Sequence, residues 1–299
     1  MASPERLAEE FEEHRPHLRA VAYRLLASMS EAEDAVQEAW IRLVRTDTAD
    51  VANLGGWLTT VVARICLDML RARTSRREDP MDVRLPDPIV TSAPDPAADV
   101  VLADSVGLAL LVVLETLEPA ERLAFVLHDV FGVRFDEIAA ILERSPVAVR
   151  KLASRARQRV RSGAPHAEPD LKQQRRVADA FLDAAKRGDF EGLLALLDPD
   201  IVLRADGGAL ESASRLVRGA HAVMEQAERF SRGLTSDVVL VNGRIGFLSR
   251  RADGRPFSVV ALTIADGRIT RMDILADPDR IARLDLSAVR GIHTHSRPH

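Results

Sequence analysis

Cysteine is almost absent. Cys66 is the only one among 299 residues, which excludes an internal disulfide, and its neighbours Ile65 and Leu67 mark it as a buried thiol in a helix. Aromatic residues make up 4% of the chain against 46% hydrophobic residues overall, so any core must be aliphatic. Long apolar runs are missing too. The most apolar window, "VVLADSVGLALLVVL" (Val100–Leu114), is interrupted by Asp104 and Ser105 and falls short of the ~20 residues that span a bilayer. The opening "MASPERLAEEFEE" is acidic and carries no apolar signal segment, so the expected location is cytoplasmic, without membrane contact. Gly-rich phosphate loops, nucleophile elbows and Cys/His zinc spacings do not occur. His293, His295 and His299 read as part of a tail rather than a metal site. The expectation is therefore no catalytic residue, no cofactor and no metal.

Charge is present in both signs but unevenly placed. The net formal charge is -4. Residues 1–50 hold 6 Arg/Lys against 11 Asp/Glu, residues 51–80 hold 5 against 3, and residues 108–163 hold 9 against 7. An acidic face thus precedes two segments with local basic clusters.

Helical periodicity dominates the first 78 residues. Phe11, Leu18, Val21, Ala22 and Leu25 share one face. Val36, Trp40, Leu43 and Val44 share a second, and Leu58, Val61, Val62, Ile65 and Met69 a third. Ser30, followed by Glu31 and Glu33, fits a helix N-cap. Five prolines between Pro80 and Asp99 predict an extended linker; a second break, "SGAPHAEPD", falls at Ser162–Asp170. Beyond it, helices over about 171–187, 190–197 and 220–231 give way to strand-like runs. Asn242-Gly243 and Asp266-Gly267 are hairpin turns, which together predict an α+β domain with one curved antiparallel sheet.

The stretch "PVAVRKLASRARQRVR" (Pro146–Arg161) holds six basic residues and no acid. Before it, Phe135, Ile138, Ala139 and Leu142 form the apolar face of a short helix. Glu143-Arg144-Ser145 make a three-residue turn, with Ser145 as N-cap and Pro146 at the first helical position. Val149, Leu152, Ala153, Ala156 and Val160 then face inward. This is a helix-turn-helix pattern; its bland alternative is a helical hairpin with a solvated basic face.

Three motifs in order resemble the extracytoplasmic-function sigma factors of the sigma-70 family. "EAEDAVQEAWIRL" (Glu31–Leu43) resembles their core-polymerase-binding segment and "WLTTVVARICLDMLRARTSRRE" (Trp57–Glu78) their promoter-melting and -10 segment. "LETLEPAERLAFVLHDVFGVRFDEIAAIL" (Leu114–Leu142), running into the basic helix, resembles their region 4. The linker and C-terminal part resemble the sigma-J-like subgroup, which carries a SnoaL-like (NTF2-like) cone. The subgroup's Trp-Leu-Pro-Glu-Pro stands here as "RLPDP" (Arg84–Pro88) and its Asp-Gly-Gly-Gly-Lys as "DGGAL" (Asp206–Leu210).

The resemblance implies a multidomain chain with two all-α sigma domains and a C-terminal α+β SnoaL/NTF2-like cone. Residues 1–79 would form a region 2 helical bundle, 80–101 a Pro-rich linker and 102–163 a region 4 helix-turn-helix. Residues 164–170 would be a second linker, 171–288 the SnoaL-like regulatory domain and 289–299 a disordered tail. The partners would be core RNA polymerase, through its clamp and flap surfaces, and promoter DNA. Glu31, Asp34, Gln37 and Glu38 are the polar candidates for polymerase contact; a solvated face is the plainer reading of these acids. Asn53, Trp57, Thr60, Arg64, Arg71 and Arg73 are the candidates for the -10 strand, with Trp57 fitting either a base stack or the core. Arg150, Lys151, Ser154 and Arg155 would read -35 base edges, and Arg157 and Arg159 would meet phosphates. Leu85, Pro86, Asp87, Pro88, Asp206, Gly207 and Gly208 would link the Pro-rich segment to the last domain, which would regulate activity in cis.

Two other readings remain. A helix-turn-helix repressor with a ligand-sensing cone explains the two ends of the chain but leaves "EAEDAVQEAW" without a role. A cyclase or isomerase fused to a DNA-binding segment would place a proton-transfer base among Asp206, His221 and Asp273. A non-catalytic, apolar cavity in the cone would take a small-molecule ligand.

Overall fold

The computed structural model describes residues 4–46, 51, 53–76, 84–92, 107–163, 170–208, 214–231 and 233–289. The chain forms two compact units, Met1–Pro80 with Val113–Gly163, and Met81–Val112 with Ala164–His299.

In the first unit, α1 (Pro4–Leu26), α2 (Met29–Arg45) and α3 (Leu54–Arg76) pack on one another. All five α1 residues expected on one face, Phe11, Leu18, Val21, Ala22 and Leu25, are buried. They meet Ala32, Ala35, Val36, Ala39 and Leu43 of α2 and Leu58, Val62, Ile65 and Cys66 of α3, so the core is aliphatic with small residues at the helix crossings. Two details differ from expectation. α2 begins two residues early, with Ser28 at the N-cap and Ser30 inside the helix, because Ala27 turns left-handed (φ 57°) and ends α1 there. Val44 is not core but 56% exposed: the three-helix bundle covers a narrower arc of α2 than its apolar residues span.

After α4 (Leu108–Glu115) come α5 (Pro119–Phe125), a π-helical turn (Val126–Val130), α6 (Phe135–Leu142) and α7 (Pro146–Gly163). The expected helix-turn-helix forms as α6 and α7. Glu143 takes a left-handed conformation (φ 54°) and closes α6, and the Ser145 hydroxyl accepts the Ala148 N–H at 3.2 Å to start α7. Val149, Ala153 and Ala156 are buried, whereas Leu152 and Val160 are half-buried.

The second unit is built on a seven-stranded sheet of order β1-β4-β5-β6-β7-β2-β3. Its strands are β1 (Val90–Thr91), β2 (Leu197–Asp206), β3 (Arg215–Arg218), β4 (Leu234–Val241), β5 (Arg244–Arg251), β6 (Pro256–Ala265) and β7 (Arg268–Leu275). Both hairpins form as expected. Asn242 and Gly243 (φ 50° and 70°) and Asp266 and Gly267 (φ 51° and 72°) all take positive φ, as tight primed turns require. The sheet is not wholly antiparallel, however: β2 pairs parallel with β7, the return being made through β3 to β6. The helices α8 (Leu171–Arg187), α9 (Phe190–Leu196) and α10 (Ala220–Ser231) cover one face. Their Val177, Ala178, Leu193, Val223 and Met224 pack with Leu203, Phe247, Leu262 and Met272 into one core. α11 (Pro278–Arg283) follows β7, capped by Asp277. Helices backed by a twisted mixed sheet make the α+β cone.

Candidate polymerase, promoter and linker sites

On α2, Asp34 and Gln37 are exposed, and Glu38 forms a surface pair with Arg42 at 2.9 Å. Beside them stand Ile41 (42% exposed) and Val44, spaced so that Gln37, Ile41 and Val44 line one helical face. Large apolar groups on an outward acidic face suit a partner surface. Glu31, by contrast, is bound by Arg73 of α3, whose guanidinium also donates to the Leu26 carbonyl at 3.3 Å. That ion pair joins the α1–α2 corner to α3, and it ties up one polymerase candidate and one strand-binding candidate together.

The remaining -10 candidates lie along α3. The Asn53 side-chain carbonyl accepts the Gly56 N–H at 3.0 Å and caps the helix start. Trp57 is half-buried, and the Thr60 hydroxyl donates back to the Gly56 carbonyl at 3.0 Å. Arg71 is exposed, with Asp68 at 3.8 Å. Arg64 reaches the Ala140 carbonyl of α6 at 3.2 Å, within the same unit. Residues 47–50 and 52, part of the expected melting loop, lie outside the described residues. On the core side of α3, burial pushes the Cys66 thiol far above its ordinary pKa.

The basic residues of α7 divide into two groups. Arg150, Lys151, Ser154 and Arg155 are exposed, and among the described residues none of the three cations has a carboxylate partner; Arg150 lies over the Phe135 ring at 5.6 Å. Arg157 and Arg159 are different. Arg157 pairs with Asp129 of the π-helical turn at 2.6 Å, and Arg159 with the buried Glu121 of α5, also at 2.6 Å. The first half of α7 offers open donors, whereas the second half braces the helix against its own domain.

In the second unit the Pro-rich segment is fastened to the cone. Arg280 of α11 donates to Asp206 at 2.6 Å, to Asp87 at 2.5 Å and to the Leu85 carbonyl at 2.5 Å. Asp206 also accepts the Leu85 N–H at 2.8 Å. Leu85, Pro86 and Pro88 are buried. Gly208 is left-handed (φ 68°), and a β-carbon there would strike the Asp277 carboxylate. Gly207 donates to the Ser214 hydroxyl at 3.2 Å. Farther along, Ile89 and Asn242 bond twice: the Ile89 N–H donates to the Asn242 side chain at 3.0 Å, and the Asn242 N–H to the Ile89 carbonyl at 2.8 Å. β1 then pairs with β4. Sequence reading placed Leu85–Pro88 and Asp206–Gly208 together but missed Arg280 and Asn242. The exposed Ile41 was missed on α2.

The proton-transfer candidates do not converge. Asp206 belongs to the clasp, His221 is exposed, and Asp273 is buried against Arg271 at 2.9 Å. Burial raises the Asp273 pKa while Arg271 and Arg204 oppose the rise. Residues 209–213 lie outside the described residues, as does the tail. Among the described residues no group of three or more metal-ligating side chains occurs, and no helix is long and apolar enough to cross a membrane.

Comparison with known proteins decides the family. A sequence model of sigma-70 region 2 matches residues 11–76 and one of sigma-70 region 4 matches residues 107–160. The ECF RNA polymerase sigma factor SigJ of Mycobacterium tuberculosis is 40% identical over 288 residues, covering 91% of this chain and 92% of its own. The chain belongs to the ECF sigma factors. SigI of the same organism, a probable ECF sigma factor by its name, is 35% identical over 274 residues, covering 90% of this chain and 92% of its own. The crystal structure of M. tuberculosis SigJ superposes with a TM-score of 0.76, at 35% identity, covering 93% of this chain and 99% of SigJ. This sigma factor accordingly partners core RNA polymerase and promoter DNA, and directs transcription initiation without being an enzyme.

Proposed function

We propose a division of labour among the surfaces of this sigma factor. Residues 1–79 bind the polymerase clamp through Asp34, Gln37, Glu38, Ile41 and Val44, and capture the opened -10 strand along α3 with Asn53, Trp57, Thr60 and Arg71. Arg64 joins them once it leaves the Ala140 carbonyl. Residues 102–163 dock on the flap and read the -35 element with Arg150, Lys151, Ser154 and Arg155, while Arg157 and Arg159 position α7. The chain works in the cytoplasm, where polymerase is. The observation that carries the -35 assignment is the pairing of Arg157 and Arg159 to carboxylates beside Arg150, Lys151 and Arg155, which have no carboxylate partner among the described residues. Run-off transcription with core polymerase and each alanine variant tests it; promoter selectivity unaltered by Arg150→Ala and Lys151→Ala would refute it.

The C-terminal domain acts in cis through the linker. Residues 84–92 sit between the two promoter-reading domains in sequence, and the Arg280 clasp holds them on the cone. Eight residues (77–84) then connect α3 to Leu85 of the clasp, a reach of at most roughly 30 Å. A clasped linker therefore restricts the separations open to the two domains, and a released one does not. Truncation at Ser162 or Asp170 is expected to change promoter use; transcription identical to the full chain in both truncations would reject regulation in cis.

A further inference from the structure

A surface cleft of about 490 Å³ lies in the second unit, lined by none of the Arg280 clasp residues and bordering the cone's core at Leu194, Leu197 and Ala220. Leu194, Leu197 and Pro199 form its apolar floor, and Arg218, Arg268 and His221 line its rim. None of the lining residues is acidic. Among the described residues neither Arg218 nor Arg268 has a carboxylate partner, whereas Arg175, Arg250, Arg271 and Arg280 of the same unit are paired. The volume falls within the ~300–1,000 Å³ typical of small-molecule sites. We propose that this cleft binds a small amphipathic carboxylate, with its apolar body on Leu194, Leu197 and Pro199 and its carboxylate between Arg218 and Arg268.

The chemistry favours that ligand over a bare anion or a neutral lipid. Two guanidinium forks match the planar geometry of a carboxylate. α10 starts at the cleft without an acid in its first turn, so no carboxylate of that turn offsets the positive rim. The floor gives no polar partner, and a ligand without an apolar body would leave it wet. The cleft stands on β2, β3 and the start of α10, and β2 ends in Asp206, the anchor of the linker clasp. A ligand there would bear on the strand that holds the clasp.

Calorimetric titration of the full chain with sodium octanoate, octanamide and inorganic phosphate tests the site, with no polymerase needed, so the outcome is separate from the transcriptional assignments. Octanoate is expected to bind saturably at one site. Octanamide, and octanoate against the Arg218→Ala/Arg268→Ala double variant, are expected to bind at least about tenfold more weakly. Arg268→Gln alone should weaken octanoate measurably without shifting the thermal midpoint, since the side chain is exposed. Absence of saturable octanoate binding overturns the proposal, as does equal binding of octanamide. So does phosphate binding as tightly as octanoate, or wild-type affinity in the arginine variants.

Discussion

Arg280 and Asp206, 74 positions apart, form a buried ion pair at 2.6 Å, and its second carboxylate, Asp87, comes from the linker. One guanidinium thereby closes a strap over the cone. Replacing it removes the countercharge of the buried Asp206 carboxylate. Arg280→Ala is expected to lower stability by about 3–5 kcal/mol in urea unfolding and to speed proteolysis within residues 84–92. Unchanged cleavage rates would mean that the strap is held elsewhere.

Asn242 separates turn chemistry from linker holding. Its positive φ suits glycine, so Asn242→Gly keeps the β4–β5 turn but removes the side-chain acceptor of the Ile89 N–H. About 1 kcal/mol is expected to be lost, with hydrogen exchange rising at Ile89 and not across β4 and β5. Protection lost throughout the hairpin would contradict this separation.

On α7, Arg150→Ala or Lys151→Ala should cost roughly 1–3 kcal/mol of promoter affinity and relax -35 specificity, without loss of fold stability. Arg159→Ala should show the opposite balance, because it leaves buried Glu121 unpaired. Its thermal midpoint should fall, and DNA binding should weaken evenly across sequences. Fluorescence anisotropy over a set of -35 variants, with melting curves, distinguishes the two.

Ile41→Asp and Val44→Asp place charge on an already exposed face. Melting temperature is expected to hold, while polymerase affinity measured by co-elution falls at least about tenfold. Loss of folding instead would show that α2 packs more fully than its exposure indicates.

Burial keeps the Cys66 thiol protonated well above neutral pH. At pH 8.5 an ordinary thiol is about half ionised and alkylates readily. Cys66 in the native chain is expected to resist iodoacetamide at that pH and to react at once in guanidinium. Prompt native labelling, followed by mass spectrometry, would disprove its enclosure.

Much of this was legible because the signals were local. Asn-Gly and Asp-Gly announce turns since few other pairs accept two positive φ values, and Ser145-Pro146 announces a helix start because cap and fixed φ coincide. The misses were tertiary. Val44 lies within the apolar arc of α2, but only neighbouring helices decide how much of that arc is covered. Ser30 lost the N-cap because Ala27 ended α1 early. The parallel β2–β7 pair and the Arg280 clasp join segments far apart in sequence, where no periodicity carries the information. The basic run likewise gave no hint of Asp129 and Glu121 opposite Arg157 and Arg159.

The two-residue strand β1 carries one more consequence. By pairing Val90 with Val241 and Thr91 with Leu240, the linker supplies the outermost rung of the sheet beside β4. A C-terminal fragment cut free at residue 170 would expose the backbone edge of β4, the kind of open border along which sheets self-associate. The segment joining the two sigma domains is thus also a selvedge of the C-terminal domain, woven in so that neither can be trimmed away without fraying the other.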